Sequence, residues 1–246
     1  ICKNFGAKQA LRDVTFNVAE GEIMGFLGPN GAGKTTTMNI LTGYLSATSG
    51  TARIDGVDVL EKPLLAKSKI GFLPEQPPLY MDMTVKEYLN FVYGLKNCRL
   101  PRAQHIKEIC EVVRISDVYG RIIKNLSKGY RQRVGIAQAL IGNPKVLIFD
   151  EPTVGLDPKQ IIEIRNLIKL LGKEHTVILS THILPEVQAV CERILVINNG
   201  RIVADGATDT LAHDLSPDHR LILRAEGPEK EMVHALQNVP GVVDAY

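Results

Sequence analysis

The sequence contains no tryptophan, only four cysteines among 246 residues, and no apolar run near the length of about 18 residues that a membrane-spanning helix needs. The cysteines stand apart at Cys2, Cys98, Cys110 and Cys191, without a C-x-x-C pair. We therefore expect neither a disulfide framework nor a metal cluster, and predict reduced thiols with structural roles. If the protein works at a membrane, another chain has to supply the pore.

Charge of one sign is also scarce. The 29 basic and 27 acidic side chains leave a net charge of +2, whereas nucleic-acid-binding proteins usually show a strong basic surplus. Hydrophobic residues make up 45% and charged residues 23%, which is ordinary for a soluble globular protein with one sizeable core. The sequence opens at Ile1 without a secretory signal, so we expect a trimmed N-terminus, a missing upstream strand and a cytosolic location.

A glycine-rich stretch fits the pattern G-x-x-x-x-G-K-[ST]. The apolar run 23–27 before it is typical of a buried strand, and the run 37–41 after it is typical of the start of a helix. A strand, a tight turn and a helix are the context in which this pattern holds a nucleoside triphosphate. The stretch consists of Gly28, Pro29, Asn30, Gly31, Ala32, Gly33, Lys34, Thr35 and Thr36.

The residue types in this stretch suit a phosphate. Glycines at 28, 31 and 33 let the backbone turn with its N–H groups facing inward, and the start of the helix adds the positive end of a dipole. We expect Lys34 to meet the β- and γ-phosphates and the Thr35 hydroxyl to hold Mg²⁺. The stretch therefore predicts a nucleoside-triphosphate site.

Hydrophobic patterning predicts an α/β core that is interrupted by a helical block over about 77–143. Strands are predicted over 14–18, 51–54, 70–73, 146–149 and 176–179, with a hairpin over 194–197 and 201–204. Helices are predicted over 102–113, 127–141 and 161–171, and a capping box of Thr84 and Glu87 opens another. Beyond about 215, a strand over 221–223, a helix over 228–236 and a strand from 241 predict the first half of a small α+β appendage.

Polar residues follow two of the predicted strands. Asp150 and Glu151 come directly after the buried run 146–149, at the end of the strand where ligands bind in α/β sheets. One acid there can hold Mg²⁺, and the other can take the proton from an attacking water. His182 follows the next strand, where it can hydrogen-bond a γ-phosphate. Together with the glycine-rich loop, these residues predict hydrolysis of the nucleotide.

In order and spacing, five motifs of this sequence resemble those of an ABC-transporter ATPase subunit. The signature between Walker A and Walker B is specific to that family, and the resemblance covers about residues 1–214. The motifs are Gly28–Thr36 (Walker A), Leu126-Ser127-Lys128-Gly129-Tyr130 (signature), Phe149-Asp150-Glu151-Pro152 (Walker B), Gly155-Leu156-Asp157 (D-loop) and His182 (switch).

The resemblance implies a fold and a domain organisation. The fold would be an α/β P-loop NTPase (RecA-like) core with an N-terminal antiparallel β subdomain and an inserted α-helical signature subdomain over about 77–143. This ATPase domain would span 1–214, and a partial α+β C-terminal appendage would span 215–246. Within the family, the signature region and the appendage are most similar to ATPase subunits of gliding-motility and drug-resistance exporters.

The resemblance also implies roles, cofactors and partners. Phe5 would stack on adenine, Glu151 would be the general base, and His182 would contact the γ-phosphate of ATP. Ser127 and Gly129 would complete the site of a second, head-to-tail ATPase subunit, with Asp157 at that interface. Mg²⁺ would be held by Thr35, Asp150 and Glu75. An integral membrane permease would be the other partner, and the protein would lie on the cytoplasmic face of the membrane without binding nucleic acid.

Two motifs, the Q-loop and the signature, depart from the family pattern. The glutamine of the Q-loop falls on Glu75, with Gln76 one residue later, and either side chain can serve that role. A glutamate oxygen can reach Mg²⁺ or its water, but its charge changes the electrostatics. In the signature, Lys128 replaces a glycine and Tyr130 a glutamine; Lys128 either adds charge near a phosphate or points into solvent, and we favour solvent.

Two other functions are possible for a chain with these motifs, and the sequence favours an exporter ATPase over both. A soluble ABC module acting on nucleic acid or ribosomes usually has two cassettes, long coiled coils or zinc insertions, and this sequence has one cassette, no heptads and little net charge. An importer subunit would contain nearly the same cassette. The motifs and the strand-helix-strand tail favour an exporter, whereas the transported substrate cannot be read from this chain.

Overall fold

The structure, a computed structural model, describes residues 1–208, 210–211 and 227–239. The chain divides into two compact units, Ile1–Asp214 and Leu215–Tyr246. In the described part of the second unit, helix α8 covers Glu229–Gln237, close to the helix predicted over 228–236. The strands predicted at 221–223 and from 241 lie outside the described residues. No helix in the described ranges is long and apolar enough to cross a membrane.

A six-stranded sheet forms the centre of the first unit. The inner strands are parallel, and the last two form an antiparallel hairpin around the predicted turn at Asn199-Gly200. In spatial order the strands are β10 (Arg201–Ala207), β9 (Arg193–Asn198), β3 (Ile23–Leu27), β8 (Thr176–Thr181), β7 (Val146–Asp150) and β6 (Ile70–Leu73). The predicted strands of this sheet are therefore present.

Register across this sheet brings the carboxyl ends of three central strands together. Leu27 at the end of β3 is paired with Thr181, and Asp150 at the end of β7 is paired with Ser180. The residues that follow these strand ends therefore begin at one edge of the sheet, where α/β folds bind ligands.

Both faces of the sheet are buried. On β7, Leu147 and Phe149 belong to one core cluster, while Ile148 between them belongs to the other. The same alternation holds at 177–179 of β8. Continuous apolar runs are typical of parallel strands covered on both sides, because each face needs its own apolar side chains.

Two small antiparallel pairs stand beside the sheet, as the expected N-terminal β subdomain requires. They are β1 (Lys3–Phe5) with β2 (Lys8–Leu11), and β4 (Arg53–Ile54) with β5 (Val57–Asp58). The strand predicted over 14–18 is wrong: Val14 is buried and Thr15 exposed, but the segment forms no ladder with another strand. Alternating burial requires only side chains that face the core in turn, whereas a strand also needs a neighbouring backbone.

The helical block consists of α3 (Val85–Leu95), α4 (Arg102–Val112) and α5 (Lys128–Leu140). Thr84 and Glu87 form the predicted capping box, with the Glu87 N–H 3.2 Å from the Thr84 hydroxyl oxygen and the Thr84 N–H 2.8 Å from a Glu87 carboxylate oxygen. The apolar side chains of Ile106, Ile109 and Cys110 on one face of α4 are buried. The capping box stabilises the start of α3, and the buried side chains of the block belong to the same core cluster as side chains on one face of the sheet.

Four further α-helices are described, α1 (Lys34–Leu41), α2 (Pro63–Ser68), α6 (Pro158–Leu171) and α7 (Leu184–Val190), and short 3-10 helices cover Ser116–Val118 and Ile123–Asn125. The predicted start of α6 at 161 is three residues late, because the Asp157 side chain accepts the Gln160 N–H at 2.9 Å and Pro158 occupies the first helical position. Apolar periodicity did not indicate α2 and α7, since helices of six and seven residues are too short to show it.

Candidate functional site

The glycine-rich stretch forms a loop around the Lys34 side chain. Lys34 Nζ donates to the carbonyl oxygens of Gly28 at 2.7 Å and Pro29 at 3.3 Å. Gly31 and Gly33 have φ angles of 80° and 114°, which an L side chain rarely adopts. The loop ends as α1 begins at Lys34, so the N-terminus of that helix faces the loop.

Gly28 is required for a different reason, a close approach of backbones. A Cβ at Gly28 would collide with the backbone oxygen of Ile197 and lie 2.9 Å from that residue's Cγ2. The Gly28 N–H donates to the Thr181 carbonyl at 3.3 Å, and the Gly200 N–H donates to the Ala32 carbonyl at 2.9 Å. The loop is therefore hydrogen-bonded to the end of β8 and to the β9–β10 turn, and it packs closely against β9.

Asp150 lies beneath the loop, almost completely buried at 1% exposure. The Ser180 hydroxyl donates to Asp150 Oδ1, and the Thr35 hydroxyl is a second hydrogen-bond partner. Burial raises the pKa of Asp150 above its usual value, while the Ser180 and Thr35 hydroxyls and the charge of Lys34 oppose that shift. A nearby cation would stabilise the ionised carboxylate.

Glu151 joins the loop to the next strand end. Its Oε1 lies 3.2 Å from Lys34 Nζ, and His182 Nδ1 lies 3.0 Å from Oε2 and 3.1 Å from Oε1. Glu151 is 6% exposed and has a φ of 49°, an uncommon conformation for a residue with a side chain. Its N–H donates to the Ser180 carbonyl at 3.0 Å, which holds the backbone in this conformation.

A cleft of about 1170 Å³ opens above these side chains. It brings together ten of the residues predicted for the site: Phe5, Asn30, Gly31, Gly33, Lys34, Thr35, Thr36, Glu75, Glu151 and His182. Phe5 is 50% exposed at the rim. Glu75 lines the cleft, and Gln76 is not among the lining residues. Gly28, Pro29, Ala32 and Asp150 lie beneath or beside the cleft rather than on its wall.

Sequence reasoning missed the remaining wall of this cleft. Most of it comes from the hairpin of β1 and β2, including Lys8, from Arg12 directly after β2, and from Asn199 and Gly200 in the β9–β10 turn; Val154 also lines it. The hairpin predicted over 194–197 and 201–204 indicates only that the chain turns at Asn199 and Gly200. Neither segment has a motif, so only the packing of the turn against the loop reveals its place at the site.

The signature and D-loop residues lie apart from the cleft wall. Ser127 caps α5, its hydroxyl 3.3 Å from the Tyr130 N–H, and Asp157 caps α6. Gly129 is buried against the Gln160 side chain, where a Cβ would lie 2.6 Å from that side chain's Cδ. Ser127 and Asp157 are exposed. These residues therefore present part of an open surface.

The two departures in the signature have defined surroundings. The Tyr130 hydroxyl donates to Asp117 Oδ2 at 2.7 Å, and Gln132 Nε2 donates to the Pro152 carbonyl at 2.8 Å. Lys128 is exposed, with its side chain running beside Gly155, where a Cβ would collide with the Lys128 ammonium. Helix α5 is thereby joined to the segment that follows Glu151.

Sequence comparison finds similar proteins among transporter components. A family model described as ABC transporter matches residues 11–154. The chain is 33% identical over 248 residues to the linearmycin resistance ATP-binding protein LnrL of Bacillus subtilis, with 99% of this chain and 79% of that protein covered. It is 36% identical over 213 residues to the bacitracin transport ATP-binding protein BcrA of Bacillus licheniformis, with 86% and 69% covered.

Solved structures share this fold. The cassette MJ0796, in a dimeric post-hydrolysis state bound to ADP and Pi, superposes with a TM-score of 0.75 at 28% identity and covers 84% of this chain and 95% of its own. Clostridium perfringens cbiO1, part of the complex cbiONQ, gives a TM-score of 0.77 at 27% identity, covering 96% and 91%. The expected α/β P-loop fold is confirmed by this likeness.

Proposed function

Since this chain belongs to the ABC transporter family as an ATP-binding subunit with ATPase activity, we propose that it hydrolyses MgATP between two copies and so drives a separate membrane-spanning exporter subunit. The observation that carries the proposal is the contact of Glu151 with both Lys34, at 3.2 Å, and His182, at 3.0 Å, in one cleft. A loop for phosphate, a carboxylate and a histidine are then in reach of one terminal phosphate.

Nucleotide binding rests on three parts of the cleft. The backbone N–H groups of the loop and the Lys34 ammonium face the β- and γ-phosphates, where a concave array of donors favours negative charge. Phe5 at the rim stacks on adenine through its exposed ring, and Lys3 Nζ, 5.1 Å from the ring centroid, adds positive charge there. Lys8 and Arg12 supply further positive charge along the same wall.

The residues beside Lys34 fit Mg²⁺. This ion prefers oxygen ligands and keeps several waters, using one or two carboxylates together with phosphate oxygens. Thr35 and Asp150 supply a hydroxyl and a carboxylate whose raised pKa reflects burial without enough positive charge. Glu75, which lines the cleft, supplies another carboxylate, and its position there favours it over Gln76 for this role. When bound, Mg²⁺ neutralises charge that develops on the phosphates.

Hydrolysis follows from the groups around Glu151. Its carboxylate accepts a proton from water as the water oxygen bonds to the γ-phosphorus, and the bond from that phosphorus to the β–γ bridging oxygen breaks. ADP and phosphate leave. His182 hydrogen-bonds the γ-phosphate and orients Glu151 through its 3.0 Å contact. Lys34 leaves the carboxylate for the phosphates, which frees Glu151 to act as a base.

A second copy completes the site. Ser127, Gly129 and Asp157 do not line the cleft of their own chain, and Ser127, which caps α5, and Asp157 are exposed. In a head-to-tail dimer they meet the γ-phosphate bound to the other copy. Binding of ATP then closes the dimer and hydrolysis reopens it, which converts nucleotide state into motion.

The membrane partner and the direction of transport are supported by the relatives. LnrL is described as a linearmycin resistance ATP-binding protein and BcrA as a bacitracin transport ATP-binding protein. For this chain we propose the role of an exporter subunit on the cytoplasmic face of the membrane. The described residues contain no helix that could span a membrane. We propose that a separate subunit supplies the pore.

Light scattering tests the dimer, using Glu151→Gln to prevent hydrolysis. We expect the mass to double with MgATP and to stay that of a monomer with MgADP; an unchanged mass with MgATP would contradict the dimer.

Purification of the complex from native membranes tests the membrane partner, which should contain about six apolar segments of ~20 residues. A solute-binding protein in the same complex would instead favour import.

A further inference from the structure

A buried carboxylate lies behind the contact of Glu151 with His182. Glu186, in the first turn of α7, is 2% exposed, and no step proposed above uses it. Its Oε2 accepts two hydrogen bonds, from the Thr153 hydroxyl at 2.6 Å and from the Thr181 hydroxyl at 3.0 Å. Both threonines are buried, so these bonds are shielded from water.

The two threonines belong to the two strand ends that form the site. Thr153 follows Glu151 by two residues, and its carbonyl accepts the N–H of Leu156 at 3.1 Å in the D-loop. Thr181 comes directly before His182, and its carbonyl accepts the Gly28 N–H at 3.3 Å. One carboxylate thus joins the backbone that presents the base to the backbone that presents the histidine.

Helix α6 supplies the opposite charge. Arg165 Nη2 lies 3.9 Å from Glu186 Oε1, too far for a hydrogen bond, and Arg165 Nε is buried without a hydrogen-bond partner among the described residues. The Arg165 side chain is 24% exposed, and an ion pair at 3.9 Å without a hydrogen bond contributes little to stability. Stability alone therefore does not account for a glutamate here.

We infer that Glu186 is a positioning residue for ATP hydrolysis: by holding Thr153 and Thr181 it fixes the spacing of Glu151 and His182. The inference rests on the proposed roles of those two residues. Small displacements of catalytic groups are expensive, since a shift of about 1 Å can lower a rate about 100-fold. Glu186 also connects the D-loop to His182 through its bonds to Thr153 and Thr181, so a displacement of the D-loop would displace His182.

Steady-state ATPase kinetics of the full chain test this inference with Glu186→Gln, Thr153→Val and Thr181→Val, which nearly preserve side-chain shape. We expect each to lower kcat about 10- to 100-fold, with KM for ATP and the ATP dissociation constant within about twofold. The double Thr→Val variant should be no slower than Glu186→Ala, because both remove the same two bonds. Glu192→Gln, an exposed glutamate two residues after α7, is the matched control and should retain the wild-type kcat.

Three outcomes overturn the inference. The first is wild-type kcat in folded Glu186→Gln, and the second is a raised KM with unchanged kcat. The third applies if neither Glu186 variant folds. Wild-type kcat in both Thr153→Val and Thr181→Val would then show that the Glu186 carboxylate is needed for folding only. Failure of the proposed function is distinguishable, because it would show as full turnover in Glu151→Gln whatever the Glu186 variants do.

Discussion

The Lys34 ammonium lies 3.2 Å from Oε1 of Glu151, and both side chains are more than nine-tenths buried. The cation proposed for the phosphates and the carboxylate proposed as the base are therefore partners of each other. Incoming phosphate oxygens have to compete with Glu151 for Lys34. Nucleotide binding would therefore draw Lys34 away from Glu151 and leave the carboxylate free to accept a proton. Removing the charge of Glu151 should then affect both turnover and ATP binding.

Glu151→Gln should abolish turnover and bind ATP at least as tightly as the wild type. The amide cannot accept the proton of water, and a general base typically contributes about 10²- to 10⁴-fold to the rate. The uncharged amide also attracts Lys34 less than the carboxylate does, so it no longer competes with the phosphate oxygens for the ammonium group. Steady-state ATPase assays and equilibrium binding of MgATP measure the two effects, with Glu192→Gln as the control. Normal turnover in Glu151→Gln would refute Glu151 as the base.

Asp150→Asn should be inactive yet at least as stable as the wild type at neutral pH. Burial raises the pKa of Asp150, so the ionised carboxylate destabilises the folded state. That cost appears as pH rises through the unfolded-state pKa near 4 and is complete above the raised folded-state pKa. The stability advantage of Asn should therefore vanish in acid. Urea unfolding without nucleotide, at neutral pH and at lower values, measures this; a variant less stable at neutral pH contradicts it.

Gly28→Ala should destabilise the protein by about 1–3 kcal/mol, the usual cost of overpacking. The added methyl group would collide with the backbone oxygen of Ile197, which cannot move without shifting β9. ATP affinity should fall too, because the phosphate loop moves with Gly28. Gly94→Ala is the control: apart from its chain neighbours and the backbone of α3, no atom of the described residues lies within 4 Å of the added Cβ, and it should stabilise α3 by about 0.5–1 kcal/mol. Equal unfolding free energies for the two variants would disprove the close-approach argument.

Thr84→Ala should destabilise the protein by about 0.5–2 kcal/mol through loss of the cap of α3. Thr84→Ser keeps the hydroxyl and should cost much less. Hydrogen bonds from Thr84 lower the pKa of Glu87, so the contribution of Glu87 is present above its unfolded pKa and lost as pH falls through its folded pKa. The cost of Thr84→Ala should therefore shrink in acid. Denaturant unfolding of both variants at two pH values measures this, and a cost independent of pH would count against it.

Local patterns were sufficient for most elements of the sheet and the helical block. The runs at 70–73 and 146–149 are apolar because both faces of a parallel strand are covered, and the cap of α3 is a contact between residues three apart in sequence. Prediction failed where a partner distant in sequence decides the outcome. The segment 14–18 alternates as a strand does, but no neighbouring strand forms a ladder with it.

For the site, the sequence by itself determined which side chains follow which strands: the loop that ends at Lys34, the acids at 150 and 151, and the histidine at 182. These depend on spacing along the chain, and parallel strands place their carboxyl ends at one edge. Only the tertiary structure decided that Glu151 contacts both Lys34 and His182, and that the β1–β2 hairpin and Asn199 complete the cleft. It alone placed Glu186 behind them. The contact of His182 with Glu151 joins residues 31 positions apart, and that of Thr153 with Glu186 joins residues 33 positions apart. Such contacts depend on how strands and helices pack together, and no local sequence pattern encodes that packing.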